Sequence, residues 1–395
     1  MGIRADTFLI KLQYLAVVGI VVSQALGMNG VSSLLFTLTF AGTVCLWIIG
    51  AAKGISRTGA LAVGIVLVSF VCVVLNALLS GSGGSFPYYK KLVIFWASVL
   101  FFSAVCECEA EESVIRFVLA LNGGLAVFLI LMYGLQNQQM HLFNGNISDY
   151  LTFQFENPNL AGVFLSCICM TEIIGAVRSG EGWQRAAHIL LAAAMARFVA
   201  ETRSRNSLLS LALFAVALLL LGGSKRPWRG YRLGAGGMAV LPLVFALAYL
   251  VLIPLPEVQK ILGFFVGEGK KLTSRVGIWS FALEAFAHSP LIGAYSQISD
   301  GTGQSQMHNT HLDILASYGI VVLVMLCVLL YQILCRAGCR RMGAGNRVCL
   351  LAFAAVLLSG IGEAMLFSGG LGIYIYAGVF LLMANRDFEG EDLVT

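Results

Sequence analysis

Residues 11–53 read KLQYLAVVGIVVSQALGMNGVSSLLFTLTFAGTVCLWIIGAAK, and no side chain between Lys11 and Lys53 is charged. About 20 apolar residues cross the hydrocarbon core of a bilayer, so this stretch holds two crossings. The breakers Gly27-Met28-Asn29-Gly30 supply the turn between them. Two further charge-free gaps run from Arg57 to Lys90 and from Leu233 to Pro254. Of 395 residues 58% are hydrophobic and 11% charged, with mean hydropathy +0.87. A water-soluble domain carries about twice that charge. A single water-facing core is therefore excluded, and an all-α, polytopic integral membrane protein is expected.

Worked outward from that stretch, the sequence accommodates twelve transmembrane helices in a single membrane domain over 1–395. They fall at about 8–27, 31–50, 60–79, 91–106, 114–133, 158–177, 186–200, 206–223, 233–254, 311–335, 347–362 and 364–384. The first, from Phe8 to Leu26, is long and has no small-residue cleavage site, so it reads as an uncleaved helix. Most of the 25 lysines and arginines, from Arg4 and Lys11 to Arg340, Arg341 and Arg347, fall on one side if both termini are cytoplasmic. Cationic cytoplasmic loops set orientation, and they account for the net charge of +5 without a nucleic-acid partner. This topology leaves two long extracytoplasmic segments, 134–157 and 255–310. The second precedes the tenth span and carries Val276 to Ala287, where Ile278, Trp279, Leu283 and Phe286 recur at helical spacing. That pattern suits an amphipathic helix at the outer membrane surface.

The ten cysteines lie in spans or near their cytoplasmic ends, so no disulfide framework is expected. Cys106 with Cys108, or Cys335 with Cys339, could hold a metal, but no paired Cys-x-x-Cys completes a zinc site. Buried small hydrophobes are the simpler reading. The Gly81 to Pro87 run is a turn, lacking the Lys-Ser/Thr pair of a phosphate loop. No repeat of 20–50 residues suggests a solenoid.

Charges that orientation does not explain are the informative ones. Eight cations fall outside: Lys90, Lys91, Arg203, Arg205, Lys260, Lys270, Lys271 and Arg275. Arg203 and Arg205 occupy the tight turn between the seventh and eighth spans, and Arg275 opens the amphipathic helix just after Lys270 and Lys271. Interfacial snorkelling would explain such residues. So would a cationic pocket for a phosphorylated lipid, because the guanidinium fork matches two phosphate oxygens at once. A second cluster, Met307-His308-Asn309-Thr310-His311-Leu312-Asp313, marks where the chain re-enters the membrane. Its two histidines, three apart on one helix face, could ligate a metal together with Asp313. One of them could equally serve an incoming hydroxyl as general base, or the cluster could be a capped helix start.

These clusters occur in an order that resembles the O-antigen ligase and polymerase superfamily of bacterial envelope glycosyltransferases, which includes the lipopolysaccharide O-antigen ligase and Wzy-type polymerases. Glu156-Asn157-Pro158-Asn159 with Ala161-Gly162 resembles the family's Asn-Pro-Asn entry to a span. Thr202-Arg203-Ser204-Arg205 before an apolar helix resembles its Ser-Arg motif, with Asn206 where the family usually has Gly. Arg275-Val276-Gly277-Ile278-Trp279, ending at His288-Ser289-Pro290-Leu291-Ile292-Gly293, resembles its Arg…Trp…His-Pro-Leu-Gly block. His308-Asn309-Thr310-His311-Leu312, running on to Tyr318-Gly319, resembles its His-Asn-x-x-Leu…Gly signature, with His311 at a position usually aromatic. The match is best over about 150–335.

The resemblance implies a glycosyltransferase, ligase or polymerase, at the outer face of the bacterial cytoplasmic membrane. Its donor would be a glycan on a polyprenyl diphosphate such as undecaprenyl diphosphate, and its acceptor a glycan or glycolipid hydroxyl. It implies His308 as the group that orients or deprotonates the acceptor, with Arg205 and Arg275 holding the diphosphate. Arg203, Lys270, Lys271, Asn309, His311, Asn157 and Asn159 would be further substrate-binding residues. No Asp-rich metal motif occurs in the chain, so no cofactor or metal is expected and the cations would replace one. The competing class is a transporter or flippase for a lipid-linked saccharide or other anionic solute. It requires paired ionisable residues within the membrane and symmetric broken helices. The charges read as lying within spans are Arg197 and Glu172, both placed near an interface, and no internal repeat is visible.

Overall fold

The computed structural model describes residues 5–52, 55–80, 86–107, 112–143, 146–147, 149–155, 157–221, 231–260, 274–295, 298, 307–338, 344–362 and 379. It is all-helical. The N-terminal helices are α1 (Ala5–Ala25), α2 (Asn29–Ala52), α3 (Arg57–Ser80), α4 (Phe86–Glu107) and α5 (Glu112–Leu135), followed by one short turn, α6 (Asn137–Met140). The C-terminal helices are α7 (Pro158–Arg178), α8 (Gly182–Glu201), α9 (Arg205–Leu221), α10 (Tyr231–Leu252), α11 (Ser274–His288), α12 (Thr310–Gly338) and α13 (Ala344–Ser359). Leu142–Phe143 (β1) pairs antiparallel with Asn146–Ile147 (β2), a ladder too small to change the class.

Seven described helices are long and apolar enough to cross a membrane: α1, α2, α3, α5, α7, α10 and α12. Shorter apolar segments lie in α4, α9 and α13. The expected span 186–200 is α8, a 20-residue helix made more polar by Arg185, Arg197 and Glu201. The expected span 364–384 lies outside the described residues, Val379 excepted. Leu79, Leu219 and Leu233 are 79%, 85% and 83% exposed. Aliphatic surface of that kind suits lipid contact, not water. The chain is a multi-pass membrane protein.

Helix α7 is the centre, buried along most of its length and packed against α5, α8, α9 and α13. Glu172 lies fully buried within it, its Oε2 2.7 Å from His188 Nδ1 of α8. Gly175 makes that approach possible, since a Cβ there would sit 2.7 Å from the imidazole. Arg197 remains on the exterior of α8 and pairs with Glu201 at 2.9 Å. A second buried charge was not foreseen. Asp313, inside α12, is fully buried and bonded to Lys91 Nζ of α4 at 2.8 Å. Lys91, half-buried, is thus a partner of α12.

Two helices are interrupted. Pro242 lies inside α10, where it withholds one N–H from the helical ladder. The expected continuous span 311–335 is α12, but it breaks at Gly319, whose φ is +82°. The break is filled by residues 290–294: Ile320 N donates to the Pro290 carbonyl at 2.9 Å, and Ala294 N to the Ala316 carbonyl at 2.7 Å. Gly293, with φ +72°, has Ser317 backbone 2.5 Å from where a Cβ would stand, and Gly319 has the Leu291 carbonyl at 2.3 Å. Only glycine fits either place. Helix α11 appears where the sequence pattern put a helix, burying Trp279, Ala282 and Ala285 against α10 and α12. Ile278, Leu283 and Phe286 pack at its sides.

Candidate active site

Segment 307–311 is built as a backbone clamp at the mouth of α12. Asn309 is the N-cap: its Oδ1 accepts from His311 N at 3.1 Å and Leu312 N at 3.0 Å. Its Nδ2 donates to the Pro242 carbonyl at 2.9 Å and the Ile361 carbonyl at 3.1 Å. Next to it, His311 Nε2 donates to the Ala239 carbonyl at 2.7 Å. Two backbone carbonyls of α10, those of Ala239 and Pro242, thus accept from polar side chains at the start of α12. His308, just before the cap, is half-buried and sits in the left-handed region at φ +49°. Its carbonyl accepts from Arg275 Nη1 at 3.0 Å, and the preceding Met307 carbonyl accepts from Trp279 Nε1 at 2.9 Å. The Arg…Trp block and the His-Asn segment are therefore joined through side chain to backbone.

The turn from Thr202 to Asn206 uses different means. Thr202 Oγ1 donates to the Val199 carbonyl and accepts from Ser204 N, closing the end of α8. Ser204 Oγ lies 2.8 Å from Ser207 Oγ at the start of α9. Arg203 takes φ +52° and projects outward, 3.8 Å from Asp149 Oδ2, with its guanidinium 5.6 Å from the Tyr150 ring centroid. Arg205, also exposed, is the first residue of α9. A cation there opposes the helix dipole, so the end of α9 and the guanidinium add positive potential in one place. Asn157 caps α7, its Oδ1 accepting from Asn159 N at 2.8 Å. One turn on, Gly162 lies flush against Ser204 and Ser207: a Cβ would sit 2.8 Å from the first and 2.6 Å from the second. The entry to α7 and the 202–207 turn thus form a second joined pair.

The two pairs meet at the end of α13. Asn206 Nδ2 donates to the Ser359 carbonyl at 2.6 Å, in space that Gly362 leaves open. From the other side Asn309 reaches Ile361, and Thr310 N donates to the Gly360 carbonyl at 3.0 Å. Residues 359–362 therefore tie the exposed arginine turn to the clamped histidine segment. In the sequence they are the last four residues of the expected span 347–362, Ser-Gly-Ile-Gly.

Of the residues singled out from sequence, the structure brings Arg275 and His308 into direct contact, with Asn309 next to His308 in the chain. Arg203, Arg205, Asn157 and Asn159 join them through the 359–362 turn. Lys270 and Lys271 lie outside the described residues. His308, His311 and Asp313 do not converge: His311 turns to α10 and Asp313 to Lys91. Among the described residues no three His, Cys, Asp or Glu side chains group as metal ligands. Cys106, Cys108 and Cys339 fall among side chains the structure does not describe. Three contributions escaped sequence reading: the Trp279 indole N–H, the Pro242 carbonyl and the Lys91–Asp313 pair. Pro242 was visible as a breaker inside a span, and Asp313 as a charge within one.

Residues 190–327 match the family model described as O-antigen ligase, a region that runs from α8 into α12 and contains both arginine segments and the clamp. No curated protein matches the chain.

Proposed function

We propose, from the match of residues 190–327 to the O-antigen ligase family model, that the chain is a member of the O-antigen ligase and polymerase superfamily and transfers a glycan from a polyprenyl-diphosphate donor to an acceptor hydroxyl. The reaction takes place at the outer face of the bacterial cytoplasmic membrane, with both termini cytoplasmic and 255–310 outside. The acceptor oxygen attacks the anomeric carbon while the bond to the diphosphate breaks. His308 takes the hydroxyl proton. Negative charge grows on the leaving diphosphate, where Arg275 and Arg205 stabilise the transition state more than the ground state. Arg203, Lys270, Lys271 and Asn159 supply weaker contacts to the substrate. Asn309, His311 and Asn157 act through the backbone they hold.

One observation carries the reading. Arg275 and His308, drawn from two separate motifs, are in contact within the matched region. A transporter reading gains from the buried Glu172–His188 and Lys91–Asp313 pairs and from the interrupted α10 and α12. The α12 interruption, however, is filled by hydrogen bonds from 290–294, and Asn309 and His311 bond α12 to α10, which suits a fixed site better than a moving gate. Reconstitution of the full chain with a defined polyprenyl-diphosphate oligosaccharide separates the classes. A ladder of products identifies a polymerase, one-step transfer to a second acceptor identifies a ligase, and movement without bond formation overturns both. Arg275→Ala and His308→Ala are each expected to lower product formation by at least about 10²-fold while the protein still inserts, and full activity of both would overturn the assignment.

A further inference from the structure

The Lys91–Asp313 pair has no part in that mechanism, yet it touches the clamp. Asp313 Oδ1 accepts from Lys91 Nζ at 2.8 Å and also from the backbone N–H of Met307 at 3.3 Å. Lys91 donates in addition to Ser317 Oγ at 3.2 Å, one turn along the same half of α12. Asp313 and Met307 are fully buried. A buried ion pair is a poor source of stability, since apolar residues of matched volume often serve as well or better. This one has a positional consequence instead. Met307 is held at its N–H by Asp313 and at its carbonyl by Trp279, and the next carbonyl, that of His308, is held by Arg275. These three bonds flank the one residue of the segment whose backbone is left-handed, a conformation that persists only where surroundings impose it.

We propose that Lys91 and Asp313 are positioning residues for His308: the ammonium holds the Asp313 carboxylate in place at the Met307 N–H, and that bond sets the backbone from which the His308 imidazole is presented beside Arg275. The proposal rests on the transferase reading for its kinetic consequence but not for its geometric one. It separates the acceptor atom from the charge. In Lys91→Met/Asp313→Leu both charges go and the Met307 N–H loses its acceptor. In Lys91→Met/Asp313→Asn the charges also go, but an amide oxygen remains to accept that bond. Both variants avoid a lone buried charge, which protects folding.

The test uses the full chain purified in detergent, with size-exclusion profile and thermal midpoint as the measure of folded protein. The first variant is expected to lose about 10²-fold in kcat, the scale of a small misplacement, with the donor KM unchanged. The second is expected to show an intermediate loss. Labelling of His308 by diethyl pyrocarbonate, read by peptide mass spectrometry, is expected to change severalfold in the first variant only, with His288 unchanged. Equal kinetics in the two variants, or a loss of activity that only follows loss of folded protein, overturns the proposal. So does unchanged labelling of His308. If the parent chain transfers no glycan while the labelling contrast holds, the transferase reading fails and the positioning role stands.

Discussion

Arg203 and His308 share an unusual backbone and almost nothing else. Both are non-glycine residues in the left-handed region, at φ +52° and +49°, a conformation that costs an ordinary residue about 1–2 kcal/mol. Around Arg203 the restraint comes from small hydroxyls, Thr202 and Ser204, and among the described residues its own side chain meets the exposed Asp149 and Tyr150. Around His308 the restraint is a ring of buried bonds from Arg275, Trp279, Asn309 and Asp313. The same strain therefore marks two kinds of part. The exposed turn carries charge on a long side chain free to follow a ligand, and solvent screens it. The clamped segment holds a histidine and a half-buried arginine in one arrangement, where charge is screened less.

The widest separation between these regions is expected in activity. Arg275→Ala removes a cation beside the reacting bond and also frees the His308 carbonyl. It should lower kcat by about 10²–10³, the usual effect of losing one electrostatic donor. Arg203→Ala removes an exposed cation whose partner Asp149 is 3.8 Å away. Its effect should stay below about tenfold, near the range of a surface pair. Single-turnover transfer from a reconstituted donor, at matched amounts of folded protein, measures both. Equal losses would erase the distinction between clamp and turn.

Stability should separate the caps next. Asn309→Ala removes the N-cap of α12 and leaves the Pro242 and Ile361 carbonyls without their donor. A lost cap costs about 1 kcal/mol, and an orphaned buried polar group about 1–3 kcal/mol. The sum should appear as a lowered thermal midpoint in detergent. Ser204→Ala loses a contact with Ser207 N that is already long at 3.4 Å and one neutral bond to the Ser207 hydroxyl at 2.8 Å. A shift of at most about 1 kcal/mol is expected there. A Ser204→Ala variant as unstable as Asn309→Ala would mean the turn is as tightly built as the clamp.

What the sequence disclosed follows the same division. The membrane class was legible in the charge-free run from Lys11 to Lys53, because hydration forbids charges there and the absence is local. The cap at Asn157-Pro158 and the helix at 276–287 were legible for the same reason: each depends on residues a turn or less apart. Contacts across the fold were not. Lys91 looks like one more external cation until Asp313, far along the chain, is placed beside it. Trp279 reads as one member of an apolar stripe, although its indole N–H holds the Met307 carbonyl. The Gly293–Gly319 approach was half visible, since both glycines were quoted in motifs. That each excludes a Cβ because the other segment's backbone is there belongs to the packing alone.

The smallest effect tests whether strain itself is the shared feature. Glycine adopts a positive φ without steric penalty but gives the unfolded chain more freedom, by roughly 0.5–1 kcal/mol. For Arg203→Gly and His308→Gly the two terms nearly cancel, so each thermal midpoint should shift by no more than about 1 kcal/mol in equivalent stability. The two should then part in activity, with His308→Gly losing the group that takes the acceptor proton and Arg203→Gly retaining most of its rate. If His308→Gly were instead strongly destabilised, the imidazole would be a structural element of the clamp, and the buried bonds around its backbone would not by themselves hold the segment.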